Sequence, residues 1–422
     1  MRSVSPTELE LGYSRPLQHP HHAIIMGRSR ATGTQLLAAP PRNGRNLPTG
    51  VLHHYADRLV AFEYSTNSSG APRVKPHTLL FIGGLGDGLG TVEYVADIVA
   101  ALEDTEWSLF CPILSSSYGG WGMSGLTQDV QEIALCVEYI LGYKRRSSSS
   151  CSSSNAKIVV MGHSTGCQDV MQYISAPNPD HHRYYDSGSA WDRGLGSSTS
   201  GVGISITRPQ IDGAIMQAPV SDREAIQWVL REGNKRHSPE ELQRFYSAAI
   251  KQAQKHTFED YHSLDTVVPL PATACLGFPA STPISSRRFL SLASPGSPQD
   301  PGEDDLFSSD LTDDRLRQTF GAIHGRGVLR SKLLVLYSGR DETVPPSVDK
   351  VHLLRRWQRA TDADQAHWHE QSGVIPGASH TISGAGQAKP RQILVRKVMR
   401  FLCDMTKDSN IPKVRHHQNE LC

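Results

Sequence analysis

The chain has 422 residues, of which 38% are hydrophobic, and its 43 Lys and Arg against 42 Asp and Glu give a formal net charge of +1. That balance offers no electrostatic attraction for nucleic acid or an anionic membrane, and no apolar run reaches the roughly 18 residues of a membrane span. Seven cysteines form no Cys-x-x-Cys pair and no zinc-like spacing, and the N-terminus lacks the apolar segment of a secretory signal; reduced thiols, no resident metal and a cytoplasmic address are expected.

Residues 1–47 carry Arg2, Arg15, Arg28, Arg30, Arg42 and Arg45 against Glu8 and Glu10, a faint echo of a transit peptide. Their prolines and paired histidines favour a disordered extension. A strand is expected at 59–64 and a fully apolar one at 78–82, running into Gly83-Gly84-Leu85-Gly86-Asp87-Gly88. Helical spacing follows at 91–102, a strand at 107–114, and an amphipathic helix at 126–141. Lys144-Arg145-Arg146 and the serine run after it read as a low-complexity loop that does not pack.

The strand at 157–161 leads into Gly162-His163-Ser164-Thr165-Gly166, and a helix is expected from 167 to 174. A second unpacked loop spans 187–203, and 211–217 resumes the sheet. Strands alternating with helices predict an α/β protein with a mostly parallel central sheet covered on both faces. From 222 to 330 the alternation stops. Helices at 224–231 and 239–254 and a Pro/Ser-rich, acidic stretch at 279–305 suggest a cap-like insertion above the strand ends. Strands at 332–337 and 369–375 and helices at 348–360 and 391–405 complete one domain over 48–405, before a flexible tail at 406–422.

Chemistry concentrates where strands end. A serine between two glycines, just past a buried strand and just before a helix, fits a nucleophile elbow. A serine hydroxyl needs a base to take its proton and an acid to orient that base. Asp341 follows the strand at 332–337, and His380 lies in Pro376-Gly377-Ala378-Ser379-His380 past the last strand, which gives the order Ser, Asp, His. Asp222 is the rival acid, because some hydrolases draw it from the preceding strand. His352 belongs on a helix, and His367 and His369 fall before or within the last strand. The amides of Leu85 and Thr165 would hold the oxyanion. Tyr118 and Trp121, among the glycines of residues 118–125, are candidate walls of a substrate pocket, with packing on the core the equal alternative. Residues 83–88 do not complete a dinucleotide or P-loop fingerprint. The histidine pairs at 21/22, 53/54, 181/182 and 416/417 read as solvated.

Taken together, Gly83-Gly84-Leu85-Gly86-Asp87-Gly88, Tyr118-Gly119-Gly120-Trp121-Gly122, Gly162-His163-Ser164-Thr165-Gly166 and Gln217-Ala218-Pro219-Val220-Ser221-Asp222-Arg223-Glu224 resemble a fungal α/β-hydrolase family that includes siderophore esterases acting on fusarinine-type hydroxamates. The resemblance spans about residues 50–405. It implies an α/β-hydrolase fold and hydrolysis of the esters of a siderophore such as fusarinine C or triacetylfusarinine C. No cofactor is implied, and iron arrives with the small-molecule substrate. The residues alone support a serine esterase, with a general carboxylesterase or lipase, a thioesterase, or a non-catalytic binding protein of the same fold as alternatives.

Overall fold

The computed structural model describes residues 49–64, 74–147, 156–178, 207–257 and 266–407. In chain order these form β1 (Gly50–Ala56), β2 (Leu59–Tyr64), β3 (His77–Ile82), α1 (Tyr94–Ala101), β4 (Trp107–Ile113), α2 (Leu126–Ser147), β5 (Ile158–His163), α3 (Gly166–Ser175) and β6 (Ile211–Gln217). After β6, where a cap-like insertion was expected, lie α4 (Asp222–Glu232), α5 (Pro239–Thr257), α6 (Leu270–Cys275) and α7 (Ser286–Ala293), followed by α8 (Asp313–Gln318) and α9 (Ile323–Arg326). The chain then returns through β7 (Leu329–Ser338), α10 (Lys350–Thr361), β8 (Gly373–Ile375) and α11 (Ala388–Thr406). α8 packs on α10, and α9 on α3 and β7.

The eight strands lie in the order β1-β2-β4-β3-β5-β6-β7-β8. β2 is antiparallel to both of its neighbours, and every pair from β4 to β8 is parallel. In β5 and β6 every residue is buried, as strands covered on both faces require. Alternate residues feed opposite layers. Leu80, Val160, Ala214 and Val335 pack with Ile133 of α2 and Val170 of α3, whereas Leu79, Val159, Ile215 and Leu334 pack with Ile98 of α1 and Val398 of α11. All six parallel strands therefore end at one edge of the sheet, and the loops leaving that edge build the site.

The structure departs from several expectations. β1 was not anticipated because its seven residues, GVLHHYA, look polar; yet His53 and Tyr55 are buried. His53 is not solvated: its Nε2 donates to Glu63 Oε2 at 3.2 Å and its Nδ1 accepts from the Tyr139 hydroxyl at 3.1 Å. Nor does Lys144 belong to an unpacked loop. α2 continues through it, and its buried amine donates to Glu63 Oε1 at 2.9 Å and to Ser108 Oγ at 3.0 Å. Burial presses the Glu63 carboxyl upward, but the His53 hydrogen bond and the Lys144 charge outweigh it and hold the group down to about 2.

A further addition lies between β6 and β7. The 279–305 stretch contains α7 and supplies Ile284, Phe289 and Leu292 to an apolar cluster with Val229, Leu242 and Trp121. The last strand is also shorter than expected: Trp368 bridges Leu333 of β7, Ser372 N then turns back to the His369 carbonyl at 3.0 Å, and the regular strand is confined to Gly373–Ile375. The expected N-terminal extension, the serine run after Ser147, the 187–203 loop, the tail beyond 407 and the other three histidine pairs lie outside the described residues.

Candidate active site

β5 and α3 meet at Ser164, whose φ of 55° lies in the left-handed region that a non-glycine residue occupies only under constraint. The constraint comes from the glycines. A Cβ on Gly162 would sit 2.2 Å from the Gly166 carbonyl oxygen, and one on Gly166 would sit 2.6 Å from the carbonyl oxygens of Ile82 and Gly83. Only glycine fits at either position, so the turn stays tight and the Ser164 hydroxyl stands at the sheet edge.

Two loops from later strands converge on that hydroxyl. His380 Nε2 lies 2.8 Å from Ser164 Oγ, which donates to it, and His380 Nδ1 donates to Asp341 Oδ2 at 2.9 Å. The other oxygen of Asp341 accepts from Thr343 N at 3.0 Å and Thr343 Oγ1 at 2.7 Å. Burial pushes the Asp341 carboxyl up, yet the His380 charge and these hydrogen bonds leave it below the ordinary carboxylate value. Burial likewise disfavours a charged His380, and the Asp341 charge and hydrogen bond overcome it, so the imidazole titrates above its ordinary value. The Glu342 carboxylate accepts from the His380 amide at 2.9 Å and fixes the loop.

Asp222 stands apart from this relay. It begins α4 and accepts from Gln168 Nε2 at 3.3 Å, and burial together with the Asp304 charge raises its carboxyl to about 7. His352 lies exposed on α10, His367 Nδ1 donates to the Ser331 carbonyl at 2.6 Å, and His369 faces Asp404 at 3.5 Å.

The 83–88 loop lies directly against the serine: a Cβ on Gly84 would be 2.6 Å from Ser164 Cβ. Gly84 N is already engaged, donating to Asp87 Oδ2 at 2.9 Å. The amides of Leu85 and Thr165 have no acceptor among the described residues. The two candidate aromatics separate. Tyr118 is 45% exposed at the rim, held with a φ of 57°, whereas Trp121 is 2% exposed and packs 5.7 Å from the Phe278 ring. Trp121 therefore packs in an apolar cluster with Phe278, Ile284 and Phe289 rather than lining an open wall, and Gly122 beside it closes onto the Pro283 backbone.

Behind the relay is a layer that the sequence reading did not single out. His163 Nδ1 donates to Gln217 Oε1 at 2.6 Å, Tyr94 donates to the same oxygen at 2.9 Å, and Gln217 Nε2 donates to Ser338 Oγ at 3.2 Å. Burial lowers His163 to about 4, so a neutral ring lies 5.2 Å from the His380 ring. The position of His163 inside the elbow motif was the one available signal. Among the described residues no three His, Cys, Asp or Glu are grouped to hold a metal, and no helix is long and apolar enough to cross a membrane.

A mostly parallel eight-stranded sheet with a serine elbow after its fifth strand and the other polar groups on later strand-end loops is that of an α/β-hydrolase. The chain belongs to the family described as protein of unknown function DUF1749, which matches residues 40–403. It is 59% identical over 375 residues to Esterase AN6793 of Emericella nidulans, covering 88% of this chain and 96% of that protein. Fusarinine C esterase sidJ of Aspergillus fumigatus is 49% identical over 369 residues, covering 87% and 98%. Among solved structures, Siderophore hydrolase EstB from Aspergillus fumigatus superposes with a TM-score of 0.73 at 48% identity, over 87% of this chain and all of that one.

Proposed function

We propose that the protein is a serine esterase that hydrolyses the ester bonds of a fusarinine-type hydroxamate siderophore, so that iron enters as cargo of the substrate. The observation that carries the chemistry is His380 bridging Ser164 and Asp341 at 2.8 and 2.9 Å. The names and identities of the relatives support the substrate class, and the unpaired state of all five described cysteines supports an intracellular address.

In this reading Ser164 Oγ attacks the ester carbonyl while His380 Nε2 takes its proton, and Asp341 holds the imidazole in the tautomer that can accept it. The carbonyl oxygen becomes an oxyanion held by the amides of Leu85 and Thr165. As the tetrahedral intermediate collapses, the carbon–oxygen bond to the alcohol breaks and His380 returns the proton to the leaving oxygen. Water then repeats the sequence on the acyl-enzyme, with His380 again as base, and frees the acid and Ser164. Tyr118 borders the entrance. Incubating the protein with ferric fusarinine-type siderophores and following products by mass spectrometry tests this directly: stepwise gain of water and release of monomer units are expected, and none with Ser164→Ala. Efficient cleavage of simple acyl esters with every fusarinine-type ester left intact would mark a general carboxylesterase instead.

A further inference from the structure

The 83–88 loop poses a problem for its own chemistry: a glycine-rich backbone is free to turn its amides away from the serine, and freedom there costs transition-state stabilisation. We propose that Asp87 is the positioning residue that removes this freedom, its carboxylate clamping the loop so that the Leu85 amide is aimed at the oxyanion while its carbonyl fixes Tyr118 at the rim. This rests on the serine-esterase reading and deepens it.

Four contacts converge on the residue. Asp87 Oδ2 accepts from Gly84 N at 2.9 Å, and Asp87 N donates to the Gly84 carbonyl at 3.0 Å, closing a four-residue turn with Leu85 at its corner. Asp87 Oδ1 accepts from Thr91 Oγ1 at 2.8 Å, which ties the turn to the lead-in of α1. The Asp87 carbonyl accepts from Tyr118 N at 2.8 Å, and the Tyr118 ring covers Gly88 so closely that a Cβ there would be 2.3 Å from it. Occupying Gly84 N in this way leaves the next amide, that of Leu85, as the free donor beside Ser164. The carboxylate also faces the relay, with Oδ2 3.9 Å from His163 Nε2, and its charge adds to those favouring protonated His380.

A clamp that aims a transition-state donor has a signature that a merely stabilising contact lacks: kcat falls while KM holds, and a transition-state mimic weakens in step. With p-nitrophenyl butyrate as the probe, Asp87→Ala is expected to lower kcat about a hundredfold with KM within about threefold. The inhibition constant of a trifluoromethyl ketone, whose adduct with Ser164 places an oxyanion in the same position, should rise by a similar factor. Asp87→Asn can still accept from Gly84 N and donate to Thr91, so kcat should recover to within about tenfold of the parent. Its acid limb of kcat/KM should shift to lower pH, because removing the carboxylate charge makes His380 easier to deprotonate. Should Asp87→Ala not fold, the exposed Thr91→Ala removes one anchor of the clamp and should lower kcat about fivefold with KM unchanged. A folded Asp87→Ala with kcat within threefold of the parent, or a kcat loss without weaker ketone binding, overturns the proposal. A parent whose ester cleavage does not depend on Ser164 overturns the esterase reading and this proposal together, whereas a Ser164-dependent parent indifferent to Asp87 overturns this proposal alone.

Discussion

Ser164, Asp341 and His380 ride on loops that leave the ends of parallel strands, whereas the segment between β6 and β7 combines an apolar cluster with buried ion pairs. There, Arg288 of α7 meets both oxygens of Asp304 at 2.7 and 2.5 Å, and Arg223 meets Asp305 at 2.9 Å. Asp129, Asp169 and Asp222 face the same guanidinium of Arg288 from α2, α3 and α4. Burial first, and neighbouring carboxyls after it, raise all three, Asp129 to about 6 and Asp222 to about 7. The contrast separates two jobs. Ser164, His380 and Asp341 are joined by direct hydrogen bonds, whereas the groups around Arg288 are held by paired charge and burial.

The largest test of this division is Ser164→Ala, which should abolish ester hydrolysis by at least about a thousandfold and leave thermal unfolding unchanged within about a degree, since only one hydroxyl is removed. Next, Asp341→Asn should cost about a thousandfold or more in kcat by presenting the wrong hydrogen-bond partner to His380 Nδ1, while Asp222→Asn should keep kcat within about threefold. Steady-state kinetics on the two variants side by side decides which region carries the acid. Equal losses would erase the distinction.

A third variant acts on the segment between β6 and β7. Arg288→Met strands Asp304 without its partner and should destabilise the protein by about 3–5 kcal/mol in a chemical-denaturation titration, with kcat on a small ester much less affected than KM. The smallest effect is a pH dependence. Asp129 and Asp222 keep their protons in the folded chain up to about 6 and about 7, whereas an unfolded aspartate releases its proton near about pH 4. The folded state thus binds more protons between those limits, and stability falls as pH rises through the window. Hydrogen-exchange protection factors, which remove the intrinsic rise of exchange with pH, should accordingly fall around Asp129 and Asp222 between about pH 4 and 7 while the β5–α3 elbow stays protected, and Asp222→Asn should flatten part of that dependence.

What could be read from the sequence follows the same line. Strands rich in apolar residues announce themselves: 59–64 and 211–217 were bounded as observed, and 78–82 missed one residue of His77–Ile82. Ser164 and Asp341 were legible because each follows a buried strand, His380 because it lies in a small-residue loop past the last strand, and proximity of Asp341 rather than Asp222 to His380 was the part that needed three dimensions. Groups buried by mutual pairing were not legible. Lys144 and Glu63 are 81 residues apart, and each alone looks like surface. Arg288 and Asp304 hide in the same way inside a stretch rich in Pro, Ser and acidic residues, where nothing in the composition marks a buried pair. Asp87 and Thr343 escaped because their work is local hydrogen bonding, which an aspartate or threonine in any turn could equally be doing.

The strand directions have one more consequence. The chain enters β1 at Gly50, leaves β2 at Tyr64, leaves α2 at Ser147, leaves α3 at Ser175 and ends α11 at Thr406, and each of these points lies at the sheet edge opposite Ser164. Five of the six stretches outside the described residues, at 1–48, 65–73, 148–155, 179–206 and 408–422, attach there, and the sixth, 258–265, joins α5 to α6. The molecule thus has a working pole and a free pole. Fusion partners, affinity tags, trimmed linkers and the new ends of a circular permutant belong on the second, where the chain can be cut or lengthened roughly a full sheet's depth from the ester it cleaves.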